Sequence, residues 1–244
     1  PFLDRNQEAD SVAGAAMIFL NYRTDYVLPR YNWDLPERLS EAVKIAPDGF
    51  QVTSSGTSDL DLPAYWLSRV SFGDFEDSVW LGDACVEMLE PVCGKGVADR
   101  VLKAMDQIAA AQKLMDRWLW LGGNLSYHTI TRLESITNTP AISWGSAKDH
   151  YLNAMNEMYR ANTRARDGGR AYTLYWARRC EFAFEYLNCV EAVRRAEAAE
   201  RKKDTATQIA ELEKAVESLN NGLNAMAAVA RSNSDRGMIA VLND

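Results

Sequence analysis

The residues best suited to chemistry lie in two short polar stretches near the start of the chain, Tyr31-Asn-Trp-Asp34 and Ser54-Ser-Gly-Thr-Ser-Asp59. An aromatic ring beside an amide and a carboxylate suits a sugar. The ring stacks on C–H faces while the polar groups take hydroxyls. Each stretch follows a run of strand formers, Tyr26-Val-Leu28 in one case and Phe50–Thr53 in the other. In a barrel of parallel strands, functional residues come from the C-terminal strand ends. On that reading Tyr31, Asn32, Trp33, Asp34, Ser54 and Asp59 share one face and bind substrate. A plainer reading stands beside it, in which Asp34 and Asp59 cap the helices that follow and Trp33 is a packing residue.

Other chemistries find little footing. Only two histidines occur, His128 and His150, and there is no Cys-x-x-Cys, which argues against a zinc site. No phosphate-binding glycine loop and no Gly-x-Ser-x-Gly elbow is present. Gly94-Lys-Gly96 reads as a helix-end turn. Ser54-Ser-Gly56 follows a strand, yet the histidines that could act as bases lie far along the chain. The residues call for no cofactor or metal. Cys85, Cys93, Cys180 and Cys189 read as four buried thiols, with a Cys85–Cys93 bridge as the alternative.

Charge narrows the partners. The net charge of −7 argues against nucleic acid as the main partner, because phosphate binding needs a basic face. No apolar run reaches the about 20 residues that a membrane span requires. The chain opens on Pro1 without a signal peptide and stops within the apolar segment Gly237–Asp244, so both ends read as cuts through a longer polypeptide.

The elements that must position these residues fall into two groups. Residues 8–22 read as a helix, with Val12, Ala15, Ala16, Phe19 and Leu20 on one stripe. A strand at 26–28, a helix at 35–44, a strand at 50–53 and a helix from about Ala64 follow, the order of parallel α/β units. Beyond residue 72 strand signals stop. Helices are expected at 76–89, 97–121, 146–165, 170–203 and 205–231, with 124–145 undecided.

Asp167-Gly-Gly169 reads as a break between two helices, and Asp204 as a cap. The helix from 170 carries Tyr172, Tyr175, Trp176, Phe182, Phe184 and Tyr186, and the last carries Ile209, Leu212, Val216, Leu219, Leu223 and Met226. Trp118 and Trp176 are expected to be buried. The charged block 192–203 reads as the solvated tip of an antiparallel helix pair. The fold class is therefore mainly α: residues 1–72 are the last βα units of a (β/α)8-type barrel, and 73–244 an α-helical C-terminal domain.

The stretch Gly49–Phe72 resembles the end of the barrel in α-glucuronidase-like glycoside hydrolases. There a final strand and a Gly/Ser-rich loop lead to a helix with an asparagine or alanine, a tyrosine, an arginine and an aromatic residue. The matching positions are Ala64, Tyr65, Arg69 and Phe72. The resemblance spans roughly residues 20–110 and is architectural beyond that.

It implies a carbohydrate-active hydrolase whose acid and base carboxylates lie on barrel strands upstream of Pro1, so no catalytic residue is assigned. The implied partners are an oligo- or polysaccharide and the remainder of the polypeptide or a further copy. Glycan processing implies a secreted or periplasmic setting over a cytoplasmic one. The competing reading is a non-enzymatic helical scaffold or interaction domain, in which the hairpin of the helices between 170 and 231 docks a partner through its aromatic face.

Overall fold

The computed structural model describes residues 15–21, 27–31, 34–45, 49–54, 60–71, 81–116 and 141–243. Among them run β1 (Ala15–Asn21), α1 (Leu35–Ile45), β2 (Gly49–Ser54), α2 (Asp61–Val70), α3 (Leu81–Cys93), α4 (Ala98–Asp116), α5 (Ala141–Arg164), α6 (Asp167–Arg201), α7 (Thr205–Ala227) and α8 (Asn233–Asn243). The described chain is mainly helical. Trp118 and residues 124–140 of the undecided stretch 124–145 lie outside the described residues, while 141–145 open α5.

The opening differs from the expected helix. Ala15–Asn21 is a strand, paired parallel to β2 with Ala15 opposite Gly49 and Ile18 opposite Val52. A continuous apolar run satisfies a helical stripe and a parallel strand alike, so periodicity could not separate them. The strand expected at 26–28 is also absent at Val27 and Leu28, which sit in an irregular segment. Both side chains are buried and serve as a wedge into the helical core. The β2 and α1 expectations hold within a residue or two. Of a closed barrel the described residues show only this parallel pair, with α1 joining the strands.

The helices bury two apolar clusters. In the first, Leu35 and Leu39 of α1 and Leu62 and Trp66 of α2 meet Met105 and Ile108 of α4, Met158 of α5 and Trp176 of α6. Side chains from both sides of position 72 thus share one core. In the second, Val27 and Leu28 join Met115, Tyr151, Phe182, Leu187, Val190, Met226 and Leu242. Helices α4 to α7 pack in chain order, each on its predecessor. The three-four spacing of their apolar residues provides each with a face to bury.

Two turns show how the sequence sets the boundaries. Gly94 and Gly96, with φ of 92° and 75°, take the left-handed backbone between α3 and α4 that side chains disfavour. The break expected at 167–169 falls two residues earlier, at 165–166, and Asp167, Gly168 and Gly169 open α6. The missing side chain lets Gly169 approach Cys93 at the end of α3, and the Arg166 amide donates to the Cys93 carbonyl at 2.9 Å.

The block 192–203, expected as a solvated tip, is exposed throughout only at 200–203; Ala192, Val193, Ala196 and Ala199 are buried, so most of it is a packed stretch of α6. Asp204 caps α7 as expected, accepting the Thr207 amide at 3.1 Å and its hydroxyl at 2.7 Å. All four cysteines are buried thiols.

Candidate functional site

The residues proposed for a sugar site divide in three ways. Tyr31 is buried in the first cluster, and its amide donates to Gln112 Oε1 at 3.1 Å. Burial, together with the nearby Cys85 thiol and Asp106 carboxylate, pushes the Tyr31 hydroxyl well above the usual tyrosine range. Asp34 stands just ahead of α1; its carbonyl accepts the Arg38 amide at 3.0 Å and its carboxylate faces Arg38 at 3.4 Å. That is a helix-start position. Ser54 ends β2 opposite Asn21. Asn32, Trp33 and Asp59 lie outside the described residues.

Most of the aromatic face of α6 is covered by the bundle, with Tyr172 and Phe184 half-buried. Tyr175, Trp176, Phe182 and Tyr186 are buried, with Phe182 and Tyr186 stacked at 5.8 Å. Trp176 is buried as expected. The competing reading is corrected on this point: large rings on a central helix are covered by neighbouring helices on several sides.

The apolar face left open belongs to α7. Its stripe runs Ile209, Leu212, Val216, Leu219, Leu223, Met226, a strict three-four alternation. The helix docks on α6 through an arc that shares only Met226 with this stripe: Glu211, Ala215, Gly222, Ala225 and Met226, all buried. Small residues permit this close approach. A methyl group on Gly222 would lie 3.3 Å from both the Glu185 Cβ and the Phe182 ring.

Docking by the small arc turns the upper stripe outward, leaving Ile209 53% and Val216 70% exposed. Ile209, Leu212 and Val216 form one open face, rimmed by Glu213, Glu217 and Asn220. Leu219, Leu223 and Met226 meet the second cluster instead.

A charge ladder holds this helix from behind. Glu191 of α6 accepts Lys148 of α5 at 2.7 Å and faces Arg195 at 3.7 Å. Arg195 reaches Glu211 of α7 at 2.7 Å, and Glu211 takes Lys214 at 2.6 Å. Hydrogen bonds from Lys214 and Arg195 outweigh burial and hold the Glu211 carboxyl below its usual range.

A second polar assembly lies inside the bundle and was missed in the sequence reading. Asp235 accepts the amides of Arg231 and Ser232 at 3.0 and 2.9 Å, while its own amide donates to Ser232 Oγ at 3.1 Å. This reciprocal pair is a capping box starting α8, and Ser232-x-x-Asp235 was its sequence signal. Tyr175 adds its hydroxyl at 3.0 Å. Arg231 stacks over the Tyr175 ring at 4.0 Å and faces Asp61 of α2 at 3.6 Å. Arg179, wholly buried, donates to the Val27 carbonyl at 3.0 Å, with the sulfurs of Met226 and Met238 at 3.7 and 3.6 Å. These contacts tie the N-terminal segment, α6, α7 and α8 together.

Among the described residues no group of three or more His, Cys, Asp or Glu could hold a metal ion. Nor is any described helix long and apolar enough to cross a membrane. Comparison with protein families, curated proteins and solved structures gives no match to this chain.

Proposed function

We propose that this chain is a helical interaction module that offers the outer face of α7 to a partner helix. The observation that carries the reading is the outward turn of Ile209 and Val216, with half-buried Leu212 between them, on a helix already packed against α6. Their spacing of three and four residues is the spacing of anchors in helix-in-groove recognition. Covering a Val or Ile side chain fully is worth about 1.5–3 kcal/mol, so the face has binding energy to give.

The test uses the full chain and a fluorescent helical peptide with leucines in a matching three-four pattern and glutamines elsewhere. Anisotropy should report binding to the wild type and at least a tenfold loss in Val216→Glu. Stability should change by no more than about 0.5 kcal/mol, as at an exposed site. A monomeric chain that binds no such helix would remove this reading.

A glycan-processing role is the second reading. It is favoured by the parallel β1–α1–β2 arrangement, a connection typical of barrel and doubly wound folds, and by the resemblance over Gly49–Phe72. The catalytic carboxylates would then lie outside this chain. Titration with neutral and uronic-acid-containing oligosaccharides, repeated with Trp33→Ala, tests it. Weaker binding at an unchanged thermal midpoint supports the reading. A large loss of stability with binding intact would assign Trp33 to packing.

A further inference from the structure

We infer that the occupant of the α7 face is a basic amphipathic helix: an apolar stripe edged by lysine or arginine. This rests on the interaction-module reading and specifies its partner. The rim decides the charge. Glu213 follows Leu212 and Glu217 follows Val216, so the two carboxylates rise one turn apart along the same edge. No cation is among the residues that line the face. The cation nearest in sequence, Lys214, is directed to Glu211, which α7 buries in its packing arc.

Size and charge argue against a second copy. From Ile209 to Asn220 the open face is about 16 Å long and one helix, about 10 Å, wide. That is well short of the about 800 Å² per partner of a stable interface between folded proteins. It matches one laid-down helix. A second copy would also bring the same two carboxylates to the rim, together with a net charge of −7. A basic helix instead places cations against Glu213 and Glu217 and excludes water from Ile209, Leu212 and Val216.

The experiment compares three fluorescent peptides that share the leucine pattern and differ only at the flanking positions, which carry lysine, glutamine or glutamate. Binding to the full chain is read by anisotropy at about 50 mM and about 500 mM salt, with sedimentation of the chain alone alongside. The lysine peptide should bind about fivefold tighter than the glutamine peptide at low salt, and the gap should close at high salt. Glu213→Lys with Glu217→Lys should reverse the order of the lysine and glutamate peptides.

Equal binding of all three peptides, or a preference for glutamate in the wild type, overturns the basic partner and leaves the module intact. Self-association abolished by Val216→Glu does the same and makes the occupant a second copy. A monomer that binds none of the three overturns both readings.

Discussion

Gly169 and Cys93 meet so closely that a methyl group on Gly169 would come within 2.6 Å of the Cys93 Cα. The obstacle is backbone at the end of α3, which cannot rotate away. Gly169→Ala should therefore destabilise the chain by about 2–3 kcal/mol in urea unfolding. Gly145 in α5 is the control: nothing lies within 4 Å of its added methyl, so Gly145→Ala should be neutral or gain about 0.5–1 kcal/mol. Similar losses for both variants would mean that the α3–α6 contact is not what Gly169 serves.

Arg179 holds the N-terminal segment through the Val27 carbonyl. A buried carbonyl stripped of its charged donor loses about 1.5–3 kcal/mol. Arg179→Ala adds a cavity, so a loss of at least about 3 kcal/mol is expected. Arg179→Met keeps much of the volume beside Met226 and Met238 and should recover part of it. Equal denaturation midpoints for Arg179→Ala and the wild type would contradict this role.

Asp235 sets an acid limit on stability. Burial alone would raise its carboxyl, but the Ser232 and Arg231 amides and the Ser232 and Tyr175 hydroxyls hold it below the usual aspartate range. The unfolded chain binds that proton more readily, so the contribution is complete above about pH 5 and is lost as pH falls through about 4 and below. Glu157 and Glu211, also held low, act in the same direction. Asp106, raised by burial, acts in the opposite one. Asp235→Asn should lower the urea midpoint at pH 7 and flatten its fall between pH 6 and pH 3. Parallel pH curves for the two proteins would exclude Asp235 as a source of the acid limb.

The thiols should be silent in the folded chain. Burial, with smaller contributions from Cys93 and Asp99, pushes Cys85 up to about 12, and burial lifts Cys189 to about 11. At pH 8 the thiolate fraction at such sites is about a thousandth or less. An aromatic disulfide reagent should therefore react with fewer than one thiol per chain in minutes, and with all four after unfolding. Rapid reaction of the native chain would place a cysteine at the surface.

Much of the helical framework could be read from the sequence, because apolar spacing and short caps are local signals. Asp204 ahead of Thr207 gave the start of α7, and Gly94 and Gly96 gave the α3–α4 turn. Ala15–Asn21 misled because helix and parallel strand both accept a continuous apolar run, and only its partner at Gly49–Ser54 decides between them.

Gly168-Gly169 marked the α5–α6 break to within two residues, but the close approach of Gly169 to Cys93 is invisible along the chain. The stripe on α7 was plain, but its direction was not. Ala215, Gly222 and Ala225 supply a second arc that packs more closely, and that choice leaves Val216 in water. Burial of Arg179 depends on Val27, which stands 152 positions away.

Lys203, with φ of 57°, folds α7 sharply back along α6. The helix that offers Ile209 and Val216 is consequently braced before any visitor arrives. Recognition would occur on a stiff platform, with little disorder to remove from this side of the encounter. Changes in affinity should then appear mainly in how long a visitor stays, and less in how quickly it settles.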